Sequence, residues 1–210
     1  PNNAGLRSLA FRMSFYNGYR TGTGPEILYS TTGTTDDHVY GQLGVPGFTI
    51  EIGPTSGTCG GFTPAYSCQD STFWPLIRGS ILSLAKNSRA PYVEAAGPVT
   101  TSATATVSGT TVTVNGTTND NAYGNASGSF GRPATQNISA GQYYLDAPPW
   151  AGGTPVAMTA TDGTFNAKSE GIRATLSTTG LTSGRHKVYV RGRDTSTIWG
   201  PVTTAWFTVP

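Results

Sequence analysis

The sequence predicts an α/β layered segment followed by an all-β sandwich. Two observations carry this. Before Pro98, helical and strand-like hydrophobic patterns alternate in the order helix, strand, strand, helix. After it the chain becomes rich in Thr, Ser and Gly, with period-2 alternation and recurrent turn signals. The boundary falls at about Ala95–Thr101, where Ala95-Ala96-Gly97-Pro98 reads as a linker. The expected domains are residues 1–96 and 97–210.

The first segment opens with a helix. Leu6, Leu9, Ala10 and Met13 recur at i, i+3, i+4 and i+7, and Asn2 or Asn3 can cap it. Asn17-Gly18 is its stop signal. Ile27-Leu28-Tyr29 reads as a short strand, Gly33 to Asp37 as a turn, and Asp36 or Asp37 as the cap of one helical turn through Tyr40. In Val45 to Ile52, Phe48, Ile50 and Ile52 alternate with Thr49 and Glu51, as in a strand. Phe73, Leu76, Ile77, Ile81 and Leu84 mark a second amphipathic helix.

The second segment offers seven strands. They are Ala103–Val107, Thr111–Asn115, Gln142–Asp146, Ala157–Thr161, Gly171–Thr175, His186–Arg191 and Ala205–Val209. Asn115-Gly116, Asp162-Gly163 and Ser183-Gly184 are turn signals between them.

Composition narrows the function classes. Charged residues are 11% of the chain, apolar residues 36% and aromatics 10%, enough apolar material for a core and unlike a disordered polar chain. The net charge is +2, and the one basic run is Arg185, Lys187, Arg191 and Arg193, alternating with Val188 and Val190 as a solvated strand face does. No nucleic-acid module accompanies it, so nucleic acid is not an expected partner. No apolar stretch is long enough to span a membrane. Cys59 and Cys68 lie in one Gly/Pro/Ser-rich stretch and read as a disulfide, which implies an oxidising, extracellular setting. No signal peptide and no Met opens the chain, which reads as a processed or truncated product.

The stretch from Leu28 to Gly53 carries the most chemistry. Tyr29 is followed by a small-residue turn, Asp36-Asp37-His38-Val39-Tyr40-Gly41, and then Phe48-Thr49-Ile50-Glu51. This order and spacing resemble the end of the active-site region of the M14 zinc carboxypeptidases, the carboxypeptidase A and B family. The resemblance covers about the first 90 residues, including the helix after Phe73. It implies the C-terminal portion of a carboxypeptidase-like three-layer α/β domain. Glu51 matches the glutamate that promotes attack of zinc-bound water on the scissile carbonyl and passes the proton to the leaving amine. Tyr29 matches a tyrosine that closes over the substrate C-terminus. Asp36 matches the base of the side-chain pocket, where a carboxylate goes with C-terminal Lys or Arg. The plainer alternatives are a polar strand residue for Glu51, a core tyrosine for Tyr29 and a turn cap for Asp36.

Two departures matter. His38 stands where the family usually has Trp. The family's zinc ligands, a His-x-x-Glu pair and a distant His, and its substrate-carboxylate clamp belong to a region upstream of this match. His38 and His186 do not replace them. The resemblance therefore implies a zinc cofactor bound by residues absent from this chain, peptide or protein C-termini as substrates, and an N-terminal catalytic-half chain of the same precursor as partner. The chain alone is expected to be inactive.

Residues from about Val99 resemble the β-sandwich modules, immunoglobulin- or fibronectin-like, appended to secreted bacterial peptidases. Tyr143-Tyr144-Leu145-Asp146, the run Gly184 to Asp194, and Trp199-Gly200-Pro201 carry that likeness. Trp150, Trp199, Tyr143 and Tyr144 either form a carbohydrate-stacking platform or fill the core. Asp146, Asp162 and Asp194 lack calcium-loop spacing. Asn115, Asn125 and Asn137 open glycosylation triplets, relevant only in a eukaryotic secretory route. The resulting expectation is the C-terminal chain of a secreted metallocarboxypeptidase. Its rival is a non-enzymatic secreted module that binds glycan or protein.

Overall fold

A computed structural model of the chain describes residues 2–128 and 130–210. They divide into two compact units: residues 1–92 with 123–133, and residues 93–122 with 134–210. The excursion that returns residues 123–133 to the first unit has no sequence signal.

The first unit is helical and irregular, and this overturns the layered α/β expectation. Among its described residues there is no strand, so there is no sheet for helices to cover. Helix α1 spans Asn3–Asn17 and stops at Gly18, whose left-handed backbone donates its N–H to Ser14 O at 2.8 Å. Asn2 sits at its N-cap position without a side-chain bond to the helix. The expected strand at Ile27-Leu28-Tyr29 is instead the end of a short helix, α2 (Gly24–Ile27). Glu26 wins there: its carboxylate accepts from Thr23 N at 2.7 Å and pairs with Arg7 at 2.6 Å, which holds the turn helical.

Helix α3 spans Thr35–Leu43. Thr34, not Asp36, is its cap: Thr34 Oγ1 accepts from Asp37 N, and Asp37 accepts from Thr34 N, both at 3.2 Å. Val45 to Ile52 forms no strand. Its alternation is real, but a strand needs a ladder partner and no described residue offers one. The segment is held from outside itself, by Thr49 Oγ1 donating to Asp36 at 2.8 Å and by Gly53 N donating to Tyr19 Oη at 2.9 Å. Cys59 and Cys68 form the expected disulfide.

Helix α4, Trp74–Asn87, follows a π-helical turn at Gln69–Phe73. It fully buries Ser80, Ser83 and Asn87, and half-buries Leu76, Ile77 and Leu84 of its apolar stripe. Small residues let it approach α1 closely: a Cβ on Gly79 would lie 2.8 Å from the Tyr16 ring, and Ser80 Oγ donates to Met13 O at 2.8 Å. Ile81 and Leu82 remain 40% and 51% exposed.

The second unit is an antiparallel sheet of seven strands. They are β1 (Val99–Ser108), β2 (Thr111–Asn119), β3 (Ile138–Leu145), β4 (Val156–Ala160), β5 (Ser169–Ser177), β6 (Gly184–Asp194) and β7 (Thr203–Val209), in the order β1-β2-β5-β4-β3-β6-β7. Each predicted strand segment overlaps one of these. Two separate sandwich sheets were expected, and the pairing corrects that as well. Strand β4 bonds to β3 through Val156 to Met158 and to β5 through Thr159 and Ala160, so the sheet is continuous. It curls into a nearly closed barrel, where Thr203 Oγ1 on β7 donates to Thr100 O on β1 at 2.6 Å.

Inward residues fill this barrel: Val112, Val114, Tyr143, Met158, Ile172, Val188, Val190, Ala205 and Phe207. Its narrowness needs glycine at Gly192, where a Cβ would sit 2.0 Å from Thr118 Oγ1. Beside the core, both nitrogens of buried His186 face acceptors: Nδ1 meets Asp146 at 2.7 Å and Nε2 meets Thr182 O at 2.8 Å. Two acceptors suit the imidazolium. The Thr182 carbonyl first, and Asp146 second, hold the His186 pKa above its ordinary value.

Two outcomes follow from the barrel. Gly192→Ala lowers the stability of this unit by about 2 kcal/mol in chemical denaturation, because Thr118 is buried and cannot yield freely. A raised native pKa contributes stability that is complete below the unfolded value of about 6.5 and lost as pH rises through the native value. The barrel's thermal midpoint should therefore fall as pH rises from below about 6.5 through the raised native value, with a smaller fall in Asp146→Asn. Asn suits the substitution because residue 146 has φ 56°.

Candidate functional site

Two places in the molecule gather chemistry-bearing side chains, one in each unit. In the first unit, a broad cavity of about 1060 Å³ opens between α1 and the segment from Tyr19 to Thr55. Tyr29, Asp36 and Glu51 all line it. Tyr29 is 70% exposed, so it is not a core tyrosine. Asp36 points one carboxylate oxygen at Thr49 and leaves the capping of α3 to Thr34 and Asp37. Glu51 is exposed on the irregular segment rather than on a buried strand. The cavity is open to water.

Among the described residues, no group of three His, Cys, Asp or Glu side chains could hold a metal ion. His38 is exposed and His186 has both nitrogens engaged. The donor set among the described residues does not fit zinc. The three acids considered for calcium are also separately engaged. Asp146 serves His186 and Lys187 N, Asp162 accepts from Thr164 N, and Asp194 accepts from Ile198 N.

In the second unit, the outer face of β3, β6 and β7 carries aromatic rings and cations together. Alternation along β6 sends His186, Val188, Val190, Gly192 and Asp194 inward and Arg185, Lys187, Tyr189, Arg191 and Arg193 outward. Register places Trp206 of β7 opposite Lys187, and Tyr144 of β3 opposite Tyr189. The Trp206 ring centre lies 4.7 Å from Lys187 Nζ and 5.0 Å from the Arg185 guanidinium carbon. The Trp199 ring receives Arg191 at 4.9 Å and Arg193 at 5.3 Å. Trp150 meets Tyr189 edge to face at 6.5 Å.

Polar contacts anchor the far end of the row. Arg191 Nη2 donates to Tyr144 Oη at 2.5 Å. With its amide oxygen turned to the guanidinium, Gln142 accepts from Arg191 Nε and Nη2, both at 2.8 Å. Arg193 Nε donates to Ser139 Oγ at 3.3 Å.

Of the four aromatics picked from the sequence, Tyr143 lies in the core, where burial raises its pKa, and Tyr144 is buried under Arg191. Trp199 is partly covered by its two arginines, and Trp150 is 46% exposed. The most accessible ring beside the cations is Trp206, 47% exposed, which sequence reasoning did not single out. Its outward position on Ala205–Val209 was available from alternation. Its place opposite Lys187 needed the register.

No protein-family model matches the chain, and no curated protein matches it. Among solved structures, it is similar to OgpA from Akkermansia muciniphila at 12% identity and TM-score 0.34, over 53% of this chain and 26% of that one. BC0361, a polysaccharide deacetylase from Bacillus cereus, matches at 10% identity and TM-score 0.32, over 51% of this chain and 29% of that one. The carbohydrate binding module of the muscle glycogen-targeting subunit of Protein Phosphatase-1 matches at 10% identity and TM-score 0.31, over 57% and 75%. The chain thus spans about a quarter of the length of OgpA. Likeness this slight carries no argument about function.

Proposed function

We propose that the second unit is a non-catalytic carbohydrate-binding module of a secreted protein. The observation that supports this is the outer face of β6 and β7, where the indole of Trp206 stays accessible beside a row of hydrogen-bond donors, with Trp150 exposed over Tyr189. A pyranose presents C–H groups on its faces and hydroxyls around its rim. An indole beside Lys and Arg donors answers both. The Cys59–Cys68 disulfide suits an oxidising compartment, and no helix among the described residues is long and apolar enough to cross a membrane.

Affinity electrophoresis of the full chain through gels holding soluble polysaccharides checks this reading. At least one polysaccharide should retard the chain, and Trp206→Ala should weaken the retardation about tenfold, as for an aromatic anchor. Trp74→Ala, an exposed indole of the first unit, should leave it unchanged. Retardation by no polysaccharide, or equal retardation of Trp206→Ala, sinks the reading.

A second reading concerns the first unit and is compatible with the first. On it, the first unit is one part of a secreted metallocarboxypeptidase that releases C-terminal Lys or Arg, built without the layered α/β sheet. Its support is that Tyr29, Asp36 and Glu51, 22 positions apart at most, share one cavity. The unit also leaves Leu43, Val45, Ile52, Ile81 and Leu82 exposed, apolar side chains for a partner chain to cover. Zinc and the carboxylate clamp then belong to that partner. Native mass spectrometry of the protein purified from its source decides it. A complex well above 21.8 kDa that releases C-terminal Arg, and loses that activity with Glu51→Gln, is the expected result. A bare 21.8 kDa species is the contrary one.

A further inference from the structure

The cations of the β6–β7 face have no acidic partner. Among the described residues, no carboxylate forms an ion pair with Arg185, Lys187, Arg191 or Arg193. The acid nearest in sequence register, Asp146, spends its oxygens on the His186 ring and on Lys187 N. Arg191 and Arg193 bond only to neutral acceptors, Gln142, Tyr144 and Ser139, which fix the guanidinium groups without cancelling their charge. Aromatic faces of Trp206 and Trp199 hold the four cations in place, and again leave the net charge intact.

Spacing makes this a linear array. Outward residues on a strand recur about every 7 Å, so Arg185 to Arg193 spans roughly 27 Å. Four like charges along one strand repel one another, and a polyanion laid along the strand relieves that repulsion. A neutral glycan needs the indoles but has no use for the charge.

We propose that this face binds an acidic polysaccharide, one whose sugars carry carboxylate or sulfate groups, lying along β6 with sugar rings against Trp206. The inference rests on the carbohydrate-binding reading above and narrows its ligand. The disulfide suits an oxidising, extracellular setting, and no nucleic-acid module accompanies the basic row.

The test is titration calorimetry of the full chain with polygalacturonate, carboxyl-reduced polygalacturonate, dextran sulfate, dextran and a single-stranded DNA oligomer. Polygalacturonate or dextran sulfate should bind at least tenfold more tightly than its uncharged counterpart, and added NaCl should weaken that binding. The arms separate the two acids: carboxylate recognition appears with polygalacturonate, sulfate recognition with dextran sulfate. The double variant Arg185→Gln/Lys187→Gln should weaken binding about tenfold, whereas Arg185→Lys/Lys187→Arg should retain it. An unchanged thermal midpoint of the Gln variant separates lost binding from lost folding. Equal affinity for charged and uncharged glycans overturns this inference and leaves the carbohydrate-binding reading standing. Binding to no glycan overturns both. Tighter binding to DNA than to any glycan reassigns the face and overturns the inference.

Discussion

The alternation of β6 is the constraint on which the second unit depends. One strand, bonded to β3 on one side and β7 on the other, contributes to both faces of the sheet. Its even-numbered residues supply Val188 and Val190 to the core, and Gly192 gives the room that Thr118 needs. Its odd-numbered residues supply four cations and Tyr189 to the outside. A slip of one residue would bury the cations and expose the valines, a cost large enough to set the register firmly. Stability and the outer surface are thus specified by the same pairing.

His186 tightens that pairing at the end of the strand. It is buried among the core side chains, with its ring 5.4 Å from Phe207, yet both nitrogens reach acceptors from other segments. Asp146 follows β3 and Thr182 precedes β6, so the ring ties two connections to one strand end. Its outward neighbours Arg185 and Lys187 share that support and lie over the Trp206 ring. The candidate binding surface therefore rests on a fixed backbone rather than on loops.

The first unit is organised by different physics. In its central contact, α1 against α4, Gly79 lies against the Tyr16 ring and Ser80 donates to Met13 O, with Leu76, Ile77 and Leu84 of α4 only half-buried. Close approach is obtained through small residues, and apolar side chains such as Ile81 and Leu82 are left outside. The same holds for Val45 to Ile52, whose strand-like pattern has no ladder to join. A layered α/β domain needs a sheet at its centre, and the segments of this unit find their hydrogen bonds locally or through side chains instead.

Much of the local structure was legible in the residues alone. Apolar periodicity and Gly18 marked α1, and period-2 alternation marked all seven strand segments, because side-chain periodicity follows directly from backbone geometry. The spacing of Cys59 and Cys68 marked their disulfide. Tyr29, Asp36 and Glu51 were chosen from the sequence, but only the folded chain places them around one cavity. Tertiary structure alone decided that β4 joins both halves of the sheet, that Tyr143 enters the core and that Arg191 covers Tyr144. It also decided that Trp206 stands opposite Lys187. The reason is common to all of these. A pattern along the chain states which side a residue faces, whereas its neighbour across a sheet or a cavity is set by pairing between segments far apart in sequence.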